Sequence, residues 1–298
     1  MSANRRRSFV LVAVFILIIG LLGWTIDQAL EAGSVFIVIG VLVAVGMAVG
    51  GYFGGDRLAL VTSGAHGPID RQDNPYLWRM VENLSITAGL PVPQIYLIDS
   101  PQINAFATGR DLKHASVAVT TGAVERLENE ELEGVLAHEL SHVRNLDIRF
   151  MTLVTVLVGI IIMFGDLFWR TRWLGGGRRG GNRSAGQVQA ILLLIGLVLL
   201  ILAPIIARLL QFAVSRRREF LADAAGALLT RYPEGLARAL EKIAQTTEPL
   251  SRANNATAHL FISNPFGPSV RGLAKLFSTH PPIPERVAAL RAMGGVDS

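Results

Sequence analysis

His138-Glu139-Leu140-Ser141-His142 sets two imidazoles four residues apart, on one face of a helix, with a carboxylate between them. That pattern suits one Zn²⁺ ion held by both rings with Glu139 beside it, as in a metal-dependent hydrolase. The same five residues also fit two surface histidines on a charged helix, so the surroundings decide. The chain has no cysteine, which excludes disulfides and thiolate metal sites and leaves imidazole and carboxylate as zinc ligands. A catalytic zinc takes three protein ligands and keeps one position for water, and the motif supplies two. A third is offered by the stretch Ser215 to Asp223, whose alanines and leucines argue for a helix with Glu219 and Asp223 four residues apart on one face. The pairing suggests Glu219 as a ligand and Asp223 as an outer carboxylate that orients a ligand histidine through its distal N–H. The competing reading pairs both acids with Arg216, Arg218 or other surface cations.

These residues need elements to position them. Asn129 is a plausible N-cap for the histidine helix, and Glu130, Glu131 and Glu133 suit the positive end of its dipole. From Asp56 to Asp147 the chain reads as a mixed α/β region. Leu77, Met80, Val81 and Leu84 give Asn74 to Ala88 a helical period, which Gly89 and Pro91 end. Gln94 to Ile98 and Val117 to Thr121 are short strand candidates, the second following a polar turn from Arg110 to His114. So few elements bury little on their own, and they must pack against the histidine helix.

Composition places this domain at a membrane. Of 298 residues 51% are hydrophobic and 17% charged, against roughly 25% charged in an ordinary soluble domain. Apolar runs at Phe9 to Ile26, Val35 to Phe53 and Ala190 to Ile206 each approach the length that crosses about 30 Å of hydrocarbon. Phe150 to Phe164 is a shorter fourth run. Arg5, Arg6 and Arg7 precede the first run, while its turn into the second holds Asp27 and Glu31 and no basic residue, so the N-terminus and the segment after Phe53 belong on the cytoplasmic side. The glycines of the second run fit close helix packing. The net charge of +5 gathers beside apolar segments, which suits anionic lipid and gives no nucleic-acid pattern. Between the third and fourth apolar segments, a flexible Gly- and Arg-rich connector from Arg170 to Gln189 offers an exposed chain for self-cleavage. Its arginines conflict with an outside location. A site built from residues on both sides of that pair of segments requires an even number of complete crossings.

Four ordered blocks together resemble the HtpX-type membrane zinc metalloproteases, relatives of the CAAX prenyl endoproteases, over nearly the whole chain. They are Asn104 to Gly109, His138 to Asp147, Arg218 to Asp223, and His280-Pro281-Pro282-Ile283-Pro284-Glu285-Arg286. One departure is Pro284, where relatives often carry a polar or acidic residue. The resemblance implies one Zn²⁺ per chain on His138, His142 and Glu219, with Glu139 as general base to a zinc-activated water. It implies outer support from Asp223 and Asn145, and candidate oxyanion or substrate contacts at His280, Arg286 and Asn104. An exposed strand edge in the segment from Asn104 to Gly109 would hold an extended peptide. No further cofactor is implied.

The expected fold is a mainly α membrane protein with an N-terminal transmembrane hairpin (1–55) and a zinc metalloprotease domain with a small β-sheet (56–149 and 211–298). A second apolar helical hairpin (150–210) is inserted within that domain. The implied activity is endopeptidase cleavage of misfolded or damaged membrane proteins, in a multi-pass cell-membrane protein of bacterial or archaeal type whose active site faces the cytoplasm. Two alternatives remain at this point. Processing of lipid-modified C-termini would need a larger membrane chamber than four apolar segments build. A metal-stabilised scaffold would need a fourth ligand, which His66, His114 and His259 do not offer by spacing.

Overall fold

The computed structural model describes residues 2–30, 33–159, 215–267 and 280–295. The connector, most of the second apolar hairpin and the expectation of self-cleavage lie outside them. The described chain is mostly helical with one small mixed sheet. Helices α1 (Ser2–Leu30) and α2 (Val35–Thr62) form a hairpin; β1 (Ala65–His66), α3 (Pro75–Ala88), β2 (Gln94–Ile98), β3 (Ala105–Gly109), β4 (Ala115–Thr120) and α4 (Thr121–Arg126) follow. Then come α5 (Asn129–Arg144), α6 (147–159), α7 (Arg216–Thr230), α8 (Pro233–Gln245) and α9 (Ile283–Met293).

The hairpin has its polarity inverted relative to a soluble helix pair. Only 17% of the most apolar stretch of α2 is buried, and Val38, Ile39, Leu42, Val45, Val49 and Phe53 are exposed. In water so large an apolar face would be a liability. The face that is buried carries small residues instead, Ala44, Ala48, Gly51, Gly55 and Ala59, with Leu60 joining them near the C-terminal end. A Cβ on Gly51 would stand 2.7 Å from Val156 and one on Gly55 2.9 Å from Thr152, so the glycines let α6 lie directly against α2. Of the two hairpin helices, α2 is long and apolar enough to cross a membrane, and α1 carries a shorter apolar stretch, Ser8–Leu21. The hairpin turn is closed from the side. The two carboxylate oxygens of Asp27 accept from Phe36 N and Ile37 N, each at 2.9 Å. They satisfy first-turn donors that the side chain of Ser34, the N-cap of α2, leaves open.

The sheet runs β1-β2-β4-β3, with β2 and β4 parallel and the outer pairs antiparallel. Asn74 caps α3 by accepting from Leu77 N, and Gly89 in a left-handed conformation ends it, as the sequence signals. The cap of α5 differs from expectation. Glu128, not Asn129, is the N-cap, because Glu128 and Glu131 form a reciprocal capping box that Asn129 is not placed to make. One core joins Leu77 and Val81 of α3, Val117 and Val119 of β4, Leu136 and Leu140 of α5, Leu236 and Leu240 of α8 and Leu290 of α9. Residues before and after the undescribed segment thus share a single interior.

Replacing Asp27 with Ala should cost the hairpin about 1–2 kcal/mol, the usual worth of a lost helix cap. The check is the thermal midpoint of the detergent-solubilised protein. A fall for Asp27→Ala with a smaller one for Asp27→Asn is the expected result, and equal midpoints would mean the side-chain bonds carry no stability.

Candidate metal centre

Helix α5 delivers His138 and His142 from one face, and α7 crosses it so closely that a Cβ on Gly226 would lie 3.0 Å from His138 N. That approach carries Glu219, on the first turn of α7, onto the two imidazoles. His138 Nε2 and His142 Nε2 stand 3.2 Å apart, and the Glu219 carboxylate oxygens lie 3.8 Å from the first and 3.6 Å from the second. Ligand atoms of one tetrahedral zinc, each at about 2.0–2.1 Å, would be separated by roughly 3.3 Å. The three side chains are buried and form the group of potential metal ligands found among the described residues. Glu219 Oε2 is buried without a hydrogen-bond partner, an arrangement that costs free energy unless a cation satisfies it. The donor set therefore fits zinc.

Each imidazole is steered from its far side. Asp223 Oδ1 lies 2.9 Å from His138 Nδ1, and Asp147 Oδ2 lies 3.2 Å from His142 Nδ1. A carboxylate on Nδ1 fixes the tautomer that leaves Nε2 free for a metal. Asp223 is itself clamped by Arg286, whose Nε and Nη2 donate at 2.8 and 2.6 Å.

Glu139 is not one of the three. It is buried, it accepts a bond from the backbone N–H of Ala107 on β3, and its pKa is raised, chiefly by burial. Its charge is opposed by Glu219 and favoured by the two histidines. Burial also works to raise the pKa of Glu219, yet His280, His142, His138 and Arg286 overcome it and hold that carboxyl at about 2.

The remaining sequence candidates are distributed unevenly. His280 reaches the site, with Nε2 3.6 Å from Glu219 Oε2 and its side chain 14% exposed. Burial lowers its pKa to about 4, leaving a neutral ring at pH 7. Arg286 is fully buried and spends its guanidinium on Asp223 and on the Ile262 carbonyl, so it braces the site rather than reaching a substrate. Asn104 is likewise buried: its amide donates to Gln102 Oε1 and the Ser263 carbonyl and accepts from Ala105 N and Ser263 N. It ties β3 to the 257–264 loop. Asn145 is exposed at the C-cap of α5, and the supporting position under His142 belongs to Asp147. The sequence reading missed Asp147 because five residues from His142 is the wrong spacing for one helix face. Leu146, with φ of 57°, breaks the helix and turns the chain back beneath the ring.

Strand β3 is an edge strand, yet all five residues are buried rather than exposed. The Ala105 carbonyl accepts from Ile262 N and Gly109 N donates to Thr152 Oγ1, so the chain itself occupies most of that edge.

Comparison with known proteins adds independent support. The model of peptidase family M48 matches residues 71–294. A protease HtpX homolog of Tropheryma whipplei strain Twist is 49% identical over 294 residues, covering 98% of this chain and 97% of the relative. One from Dictyoglomus turgidum is 43% identical over 293 residues, covering 98% and 93%. The crystal structure of S. mikatae Ste24p aligns with a TM-score of 0.52 at 19% identity over 97% of this chain. This chain spans 65% of that longer protein, and the likeness is one of fold.

Two outcomes follow for metal binding. Asp147→Ala should weaken zinc binding about 10- to 100-fold, measured by competition with a chromogenic chelator. The second concerns protons. Burial works to lower the His142 pKa, but its bond to Asp147 and the charge of Glu219 raise it to about 9 in the metal-free protein. A ligand ring must be neutral, so below that pH zinc has to expel a proton. Apparent affinity should therefore climb by up to about tenfold per pH unit and level off above about pH 9. Calorimetry in two buffers of different ionisation heat should show proton release at pH 7. Absence of release would mean His142 is already neutral.

Proposed function

We propose, from the premise that this chain belongs to peptidase family M48, that it is a membrane-anchored zinc endopeptidase acting on misfolded or damaged membrane proteins from the cytoplasmic side. That the chain is a metallopeptidase, a hydrolase acting on polypeptides, follows from the family and from its HtpX-type relatives. The finer reading rests above all on one observation. Three buried ligand atoms converge at zinc spacing beside a buried carboxylate that is not itself among them.

A zinc ion bound there would supply Lewis-acid polarisation of the scissile carbonyl and acidify the attacking water. The chain's own groups do the rest. Asp223 and Asp147 hold the two rings with Nδ1 protonated and Nε2 directed inward. Glu139, positioned by Ala107 N–H and with its pKa raised by burial, takes the proton of the attacking water and returns it to the departing amine. The neutral ring of His280, beside Glu219 and partly exposed, is placed to donate to the oxygen on which charge develops. Arg286 serves through Asp223 as a positioning residue.

The membrane placement draws on the inverted polarity of α2 and on the arginines before α1. With Arg5, Arg6 and Arg7 in the cytoplasm and two crossings, the chain after α2 re-emerges on the same side, where the metal centre lies. A closed structural zinc would require a fourth protein ligand, and the group among the described residues has three.

Glu139→Gln should keep one zinc per chain and slow cleavage of an unfolded model polypeptide by roughly 10²- to 10⁴-fold, the usual contribution of a general base. Metal content is read by atomic emission and cleavage by gel densitometry. Cleavage at the native rate would remove Glu139 from the reaction.

A further inference from the structure

A cleft of about 280 Å³ opens between α1, α2 and α6, away from the metal centre. Its lining is apolar apart from Ser8, Arg149 and the Tyr52 phenol, and it holds no acidic side chain. Ser8 Oγ and Arg149 Nε are both buried without a hydrogen-bond partner. A hydroxyl and a guanidinium N–H left in that condition call for an acceptor. The Arg149 guanidinium stacks 5.0 Å over the Tyr52 ring, which leaves its N–H edge available.

The two polar groups mark one level of the molecule. Ser8 is the last polar residue before the apolar run of α1, Phe53 closes the apolar run of α2, and Arg149 is the last charged residue before the apolar run that begins at Phe150. From that level both hairpin helices lead the cleft inward. Val12 lies one turn beyond Ser8, and Ala48 and Val49 lie one turn before Tyr52 and Phe53. A cationic, hydrogen-bonding mouth with an aromatic rim thus continues into an apolar slot, at the height where headgroups meet acyl chains. Arg6 is exposed in the turn of α1 preceding Ser8 and adds positive charge at that end.

We propose that this cleft binds one anionic phospholipid, its phosphate on Arg149 and Ser8 and an acyl chain against Val12, Ala48 and Val49. Arginine matches the phosphodiester with paired donors, and with no acidic side chain in the lining and Arg6 nearby, the cation of a zwitterionic headgroup is repelled where a headgroup of net negative charge is not. The proposal rests on the membrane placement of the hairpin and is independent of proteolysis.

The test uses full-length, zinc-loaded protein in detergent micelles, with bound lipid counted by native mass spectrometry. Phosphatidylglycerol and phosphatidylcholine are offered in competition. The native chain should retain phosphatidylglycerol with a preference of roughly tenfold or more, and Arg149→Gln should lose that preference. Val49→Trp, at an exposed position on the cleft wall, should reduce retention of either lipid by blocking the slot while leaving Arg149 in place. Inorganic phosphate should fail to displace the lipid. Equal retention of both lipids by the native chain, unchanged lipid counts in both variants, or displacement by inorganic phosphate would each overturn the site. If Arg149→Gln does not fold, judged by lost zinc, Val49→Trp and Ser8→Ala decide, and native counts in both overturn the proposal. Flotation with vesicles separates the two readings: a native chain that does not float overturns the membrane placement itself, whereas floating variants with lost lipid preference support the site.

Discussion

Asp223 is bonded on one side by the Arg286 guanidinium and on the other by His138, with all three side chains buried. The orientation of the His138 ring depends on this chain of contacts. Burial raises the cost of the Asp223 charge, and Arg286 outweighs it, holding the carboxyl well below its ordinary range. Removing one partner from such a buried pair costs about 3–5 kcal/mol because the other charge is stranded. Arg286 stands on α9, near the end of the chain, while His138 stands on α5 and Asp223 on α7. Three distant stretches of sequence must therefore dock before the site has its electrostatics. The shared core of α5, α8 and α9 supplies the apolar burial that makes this docking favourable.

The second constraint is where polarity changes sign. Around the metal centre the buried charges are gathered in one cluster, with Asp223 clamped by Arg286 and Glu219 Oε2 left for a cation, and apolar groups point inward. In the hairpin the buried stripe of α2 is mostly Ala and Gly, and most of its large apolar side chains face out. The two regimes meet at α6, which starts under the metal centre with Asp147 and continues against Gly55 and Gly51 of α2. Any tilt of α6 in the hairpin moves the carboxylate that holds His142. A rigid small-residue contact at that junction is a means of keeping the site in register with the membrane segment.

Much of the centre was legible because it obeys helix arithmetic. His138 and His142, and then Glu219 and Asp223, are i,i+4 pairs, and spacing alone puts each pair on one face. The meeting of those two faces was readable through family resemblance, since no local rule brings α7 to α5. What escaped the reading lay where the chain leaves regular structure. Asp147 reaches His142 through a left-handed Leu146, and strand β1 spans two residues. Asn104 and Arg286 are candidate substrate contacts by family resemblance, which carries no information on burial. Burial decides otherwise, since both spend their donors inside the fold. Charge patterning supplies an expected sidedness for the first hairpin, and the arginine-rich connector lies outside the described residues.

Strand β3 links the sheet to the chemistry in a way that composition alone does not convey. Antiparallel pairing turns the N–H groups of Ala105, Ala107 and Gly109 away from β4. Gly109 N bonds Thr152, and Ala107 N bonds Glu139. The edge is thus divided between anchoring α6 and orienting Glu139. A carboxylate held by a sheet donor has its oxygen fixed relative to the helix that carries both histidines, so Glu139 and the two rings move as one body. In the proposed reaction this preorganisation suits Glu139 to its part: the Ala107 donor offsets some of the desolvation that raises its pKa. The same reasoning accounts for the covering of β3 by the 257–264 loop. Excluding water from that edge strengthens the single N–H bond on which the alignment of Glu139 depends.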